Sequence, residues 1–203
     1  MLLKRFCAYF LDFTFIRFFV TLVSQIKFLN PHYDDFYEVS DKYVEVYKNI
    51  VEENNIKEIN GKEIQDLSYK IQKYGVSISI IEIICVILYY GGFQAWNKGQ
   101  TIGKKIMRLK IVDNKTNEKA SFLQLTLRSV ILYSLYGEIL NVILIKLLNQ
   151  KAYITINPII GSITSIIFYI SLVMIITRKD RRGLHDMIAG TKVVQIENKN
   201  ECY

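Results

Sequence analysis

FCAYFLDFTFIRFFVTLVSQIKFL, residues 6–29, is an almost unbroken apolar and aromatic run, interrupted by Asp12 and Arg17. A helix needs roughly 20 such residues to cross about 30 Å of hydrocarbon, and this stretch supplies them. Working outward, three further blocks have the same character: 74–96, 122–148 and 156–176. The later blocks also carry charge, at Glu82, Arg128 and Glu138. An ionised side chain at the bilayer centre costs at least about 2.5–3.5 kcal/mol unless it is paired or hydrated. These five charges are therefore expected to face one another or water, in an all-α membrane protein built as a four-transmembrane-helix bundle.

The net charge of +7 is distributed in a way that fits topology better than nucleic acid. Basic residues cluster at Lys4 and Arg5, between Lys98 and Lys119, and from Arg178 onward. Four crossings with the N-terminus inside put all three clusters on the cytoplasmic face, as the positive-inside rule requires. Between the first two spans, residues 30–73 hold ten Asp and Glu against six Lys and fall outside. A cell-membrane, multi-pass protein with both termini cytoplasmic is expected, with the lipid bilayer as partner and no nucleic acid. A cleavable leader is disfavoured, because the first apolar block is too long, is interrupted by Asp12 and Arg17 and lacks a small-residue cleavage site. The three cysteines, Cys7, Cys85 and Cys202, show no metal-ligand spacing, so neither a metal, a cofactor nor a disulfide framework is expected. The two prolines, Pro31 and Pro158, are read as lying at or near helix ends.

The 30–73 segment is expected to form an external amphipathic helical insertion. Phe36, Val39, Tyr43, Val46, Tyr47 and Ile50 recur at helical spacing, Asn54-Asn55 and Asn60-Gly61 read as breaks, and Ile64, Leu67 and Ile71 form a second stripe. Such a hairpin rests on the bundle or bilayer, or caps a pathway or partner surface. In the 97–121 loop, residues 106–113 alternate polar and apolar with the period of a strand, and residues 190–196 have similar character. A lone strand would leave its backbone unpaired, so the two are expected to form a small cytoplasmic two-strand sheet. Ser121 and Gln124 form a capping-box signature at the start of the third span.

At 1.5 Å per residue, Asp12 and Arg128 lie at similar depth, roughly 9 Å from the inner end of their spans, and Arg17 matches Glu82 nearer the middle. Arg5 shares a helix face with Asp12. An inner cluster of Arg5, Asp12 and Arg128 and a mid-membrane Arg17–Glu82 pair are the expected contacts, with Glu138 nearer the outer boundary. Gly99 to Lys105, GQTIGKK, lacks the spacing of a phosphate-binding loop, so its lysines are read as meeting lipid headgroups. His185 and Asp186 have no nearby second histidine and no hydrolase motif around them, and an enzyme is not expected.

Three segments together carry a resemblance: RFCAYFLD at 5–12; GQTIGKK at 99–105 with LKIVD at 109–113; and DRRGLHDMIAGTKVV at 180–194. In this order they resemble the RDD family of small bacterial integral membrane proteins, named for one arginine and two aspartates. The resemblance makes 1–203 a single RDD-like membrane domain and points to Arg5 and Asp12, with either Asp180 or Asp186 as the second aspartate. It also marks Gly99, Thr101, Gly103, Lys104, His185, Asp186 and Thr191 as the cytoplasmic motif. The 30–73 insertion is longer than the family pattern, and many relatives have fewer spans. Transport, including cation–proton exchange, has been suggested for some members.

Two functions follow. One is a transport-related protein, exchanging a monovalent cation for protons through intramembrane carboxylates, as a homo-oligomer because four helices make a narrow bundle. Its site residues are Asp12, Arg17, Glu82, Arg128 and Glu138. The other is a non-enzymatic membrane scaffold or assembly partner that docks a membrane-protein partner through Phe36–Ile50 outside or Arg178–Asp186 inside.

Overall fold

A computed structural model describes residues 2–52 and 61–196. The expected break at Asn54-Asn55, Asn60 and Cys202 lie outside the described residues. Helix α1 (Leu2–Ser24) is apolar on nearly every side. Only the stripe Ala8, Asp12, Ile16, Val20 and Ser24, repeating every four residues, is buried. The phenylalanines on its other faces stay exposed, as expected of a helix that meets lipid rather than water. It ends earlier than the apolar run because Asn30, fully buried, donates its side-chain amide to the Ser24 carbonyl at 3.1 Å. Satisfying that carbonyl closes the helix five residues short of Leu29.

Helices α2 (Tyr33–Glu52) and α3 (Gly61–Tyr74) pack against each other. Asp34 and Asp35 sit in the first turn of α2, where the helix dipole favours anions. The second apolar segment begins as α4 (Val76–Val86), widens into a π-helical turn at Ile87–Phe93, and closes as α5 (Gln94–Trp96). The wide turn lets the consecutive residues Tyr89 and Tyr90 both face inward, which an α-helix at about 100° per residue resists. Next come α6 (Ile102–Ile106) and β1 (Leu109–Asp113).

The third apolar segment is not one straight rod. It consists of α7 (Phe122–Leu132) and α8 (Leu135–Leu147), bent by 70°. Ser134 at the break has φ +55°, a left-handed conformation that stops α-helical propagation. The capping box read at Ser121 and Gln124 starts α7, with both reciprocal hydrogen bonds in place. Helix α9 (Gln150–Thr177) begins six residues before the apolar block, because Asn149 accepts from the Ala152 N–H at 3.0 Å and caps it. Pro158 consequently lies inside α9 rather than at its end, a correction to the sequence reading. Finally α10 (Leu184–Ile188) leads to β2 (Thr191–Gln195).

Strands β1 and β2 pair antiparallel, Leu109 opposite Gln195 and Ile111 opposite Val193, as the period-two patterns predicted. The alternating Leu109 and Ile111, with Val193, face Ala8 and Leu125 in one apolar cluster. A second cluster, of Ile16, Val20, Ile81, Val86, Tyr89, Tyr90 and Leu135, fills the middle of the bundle. Among the described residues, three helices are long and apolar enough to cross a membrane, or four if the bent α7–α8 pair counts as one span. That pair starts beside the sheet, where Leu125 packs, and reaches α3, where Asn141 donates to Gln72 at 3.0 Å. From there α9, whose Gln150 donates to Asp66, returns to α10 at the sheet end.

Candidate functional site: buried charges at the sheet end of the bundle

Asp12 is fully buried, and every nearby donor converges on it. The Tyr89 hydroxyl donates to Oδ1 at 2.8 Å, the Gly103 N–H to Oδ1 at 2.8 Å, and the Thr101 hydroxyl to Oδ2 at 2.5 Å. Lys104 Nζ lies 3.7 Å from Oδ2 and 5.5 Å from the Tyr90 ring centroid. The GQTIGKK segment is thus a folded receptor for one carboxylate. Thr101 is the N-cap of α6, accepting from the Lys104 N–H while giving its own proton to Asp12. A Cβ on Gly103 would run into the Ala8 carbonyl and the Asp12 carboxyl group, so only glycine fits there. Gly99, at φ +81°, turns the chain beneath this loop, and the side chain of Gln94 donates to its carbonyl at 3.0 Å.

Lys104 is therefore not the free surface lysine that its sequence context suggested; it is buried against Asp12. Burial pushes its ammonium down to about 8, and the facing Asp12 carboxylate only partly offsets that. Nor do Asp12 and Arg128 form the expected pair. Arg128 Nε donates to Asp186 Oδ1 at 3.0 Å, on α10. Depth matching between spans missed both partners for one reason. The 99–105 loop and the 183–191 segment fold upward against the bundle and bring their own counter-charges.

Asp186 also accepts from the Thr191 hydroxyl at 3.2 Å, and Arg182 clamps the segment through the Thr191 and Asp186 carbonyls. Burial alone would raise the Asp186 carboxyl group, but Arg128 and His185 overcome that and hold it well below the usual range. Asp180, by contrast, is exposed and paired with its neighbour Arg178 at 2.9 Å, so it stands apart from the buried network. The 183–188 segment bonds to α7 through Asp186 and to α9 through His185.

His185 bridges two groups: Nδ1 lies 2.8 Å from the Ser171 hydroxyl and Nε2 lies 3.3 Å from Asp186 Oδ2. Burial lowers its pKa, favouring the neutral ring. A neutral ring with its proton on Nε2 accepts from Ser171, whose oxygen in turn accepts from the Leu184 N–H at 3.2 Å. The chain of bonds ties α9 to α10. Arg5 reaches the sheet directly, donating to the Arg181 carbonyl at 2.6 Å and the Val193 carbonyl at 2.9 Å.

Farther up the bundle, Arg17 and Glu82 form an ion pair at 2.7 Å, the pair matched from depth. They border a cavity of about 170 Å³ whose opposite wall is the α7–α8 break at Tyr133 and Ser134. Glu138 accepts from Ser79 at 3.3 Å, one turn from Glu82 on α4. A larger cleft of about 580 Å³ opens between α1, α7 and α9 above the sheet, with Arg5, Lys104, Arg128 and Asp186 at its base. Among the described residues, no group of three or more His, Cys, Asp or Glu is placed to hold a metal ion.

Tyr89, Tyr133 and Ser171 had no signal of their own in the sequence. Tyrosines and serines are common in membrane helices, and only the fold brings Tyr89 to Asp12, Tyr133 onto the Tyr9 and Tyr90 rings, and Ser171 to His185. The fold and the buried ion pairs define a multi-pass membrane helical bundle.

Its sequence places it further: the RDD family profile matches residues 1–190, and the chain belongs to the RDD family. It is 33% identical over 115 residues to a Bacillus subtilis (strain 168) protein described as "Uncharacterized protein YxaI". That match covers 57% of this chain and 56% of the relative, so this chain spans only about half of the relative's length. No solved structure matches.

Proposed function

We propose that this protein is a transport-related component of the cell membrane, exchanging a monovalent cation for protons through intramembrane carboxylates. The observation that carries the reading is the Arg17–Glu82 pair on the wall of a cavity at a helix break, with Glu138 close by. A carboxylate can release a proton and accept a cation in alternation, and ionisable groups kept within a bilayer usually mark such pathways. Breaks in spanning helices are tolerated where they line a cavity. Glu82 and Glu138 are the exchanging acids, and Arg17 tunes Glu82. Asp12, sealed by three hydrogen bonds and Lys104, is a positioning residue that fixes the loop beneath the bundle.

Four crossings, with the broken α7–α8 pair as the third, put both termini and the sheet on the cytoplasmic side. The basic character of 98–119 and 178–192 supports that orientation, and the acidic 30–73 segment supports an external hairpin. An oligomer would cover α9, whose apolar window is only 6% buried within one chain. The same bare surface favours the second reading, a non-enzymatic scaffold that docks a membrane partner along α9.

Reconstituted liposomes decide between them. The purified chain should take up sodium or potassium down an imposed proton gradient, and Glu82→Gln should cut the initial rate at least about tenfold while the protein still elutes as folded. Flux absent from the wild type, or unchanged in Glu82→Gln, removes the exchange reading.

A further inference from the structure

The larger cleft has two unlike halves. Ile131 of α7 and Leu172 and Ile175 of α9 form apolar walls. The base is cationic: Arg5 from α1, Lys104 from α6 and Arg128 from α7. The volume, about 580 Å³, falls within the roughly 300–1,000 Å³ typical of small-molecule sites.

The base is short of acceptors. Arg128 is 7% exposed, yet only its Nε is used, by Asp186. Among the described residues nothing accepts from its two terminal nitrogens. Arg5 Nε is likewise buried without a partner. A buried guanidinium N–H left unbonded, as at Arg5 Nε, is costly, and the Arg128 terminal nitrogens add further donors, so an acceptor-rich ligand is called for.

The charges facing this base, element by element, give the same answer. Arg5, Lys104 and Arg128 are opposed by Asp186 on α10 and by Asp12 behind Lys104. Burial favours the neutral form of His185 on α10, and Ser171 on α9 and Val193 on β2 carry no charge. Three cations against two carboxylates leave a positive excess, to which Arg181 beside Arg5 and Arg182 beside Asp186 add. The wall on α9 is open, with Leu172 42% and Ile176 60% exposed, so the cleft is reached sideways from the surrounding hydrocarbon.

We infer that this cleft seats one anionic phospholipid, its phosphodiester held by Arg5, Lys104 and Arg128 and an acyl chain lying against Ile131, Leu172 and Ile175. A phosphodiester supplies both the negative charge and the oxygen acceptors that this cationic base lacks. A free phosphate would satisfy the base but leave the apolar walls uncovered. Lipid occupancy stands apart from ion exchange and is read without flux.

Native mass spectrometry of the full chain, in neutral detergent after exhaustive exchange, tests this. Dioctanoyl phosphatidylglycerol should bind saturably at one per chain, about tenfold more tightly than dioctanoyl phosphatidylcholine, the worth of one charge-assisted contact. Inorganic phosphate at equal concentration should not displace it. Leu172→Trp fills the cleft from an exposed position without touching the charges, and should abolish the one-to-one adduct while leaving the melting midpoint in place. Arg5→Gln should weaken binding of phosphatidylglycerol but not of phosphatidylcholine. Equal affinity for the two lipids overturns the inference, as does displacement by phosphate, which marks a free-anion site. Unsaturable binding that Leu172→Trp leaves untouched means surrounding lipid only, and overturns it too.

Discussion

At the scale of single residues, the protein's charges are governed by where a counter-ion can reach, not by where the charge sits along its helix. Lys104 illustrates the sign of the effect. Its folded pKa, about 8, lies below the ordinary lysine value of 10.5, because burial disfavours the ammonium. Between those values the unfolded chain holds a proton that the folded chain has shed, so stability rises with pH across that window. Below about 8 the cost of the buried charge is present in full. Lys104→Met removes this titration and should flatten the rise. Unfolding midpoints of both proteins, measured in the same micelles from pH 7.5 to about 10, should show wild type gaining on the variant; parallel curves would mean that Lys104 is solvated.

At the scale of elements, the bend between α7 and α8 is held by an unfavourable backbone conformation at Ser134, φ +55°. An L-residue there costs roughly 1–2 kcal/mol. Ser134→Gly should therefore raise stability by about 1 kcal/mol, and Ser134→Val should lower it by at least that much, read from unfolding midpoints in detergent. Equal stabilities would show that the break is relaxed in the membrane. The elements also differ in how legible they were. Strands β1 and β2 could be read because alternation has a period of two and a lone strand has no backbone partner. The Ser121 cap was equally local. The α7–α8 break was not, since Tyr133-Ser134 contains neither proline nor glycine. The π-turn around Tyr89 was hidden for a similar reason, because packing against α7 stabilises it. Pro158 was misplaced because a cap at Asn149, outside the apolar block, starts α9.

At the scale of the whole molecule, the four-crossing reading fixes which ends share a side. Single cysteines at Lys110 in β1 and Lys192 in β2, on a background with the native cysteines replaced, should react with a membrane-impermeant maleimide only after the cytoplasmic side is opened. A cysteine at Lys42 in α2 should react in intact cells. If Lys42 and Lys110 label from the same side, Val76–Trp96 does not cross; if Lys110 and Lys192 label from opposite sides, the crossing number is odd and the broken pair is re-entrant.

The amino-acid sequence alone determined that this chain enters a bilayer, where its long apolar runs lie, that two short segments pair as strands, and that it resembles the RDD family. Each of these rests on periodicity, length or local motif, which neighbouring residues carry by themselves. Only the tertiary structure decided that Asp12 belongs to Lys104 and Thr101, and Arg128 to Asp186. An ion pair depends on three-dimensional distance, and loops that fold back into a bundle bring together charges that are 58 residues or more apart.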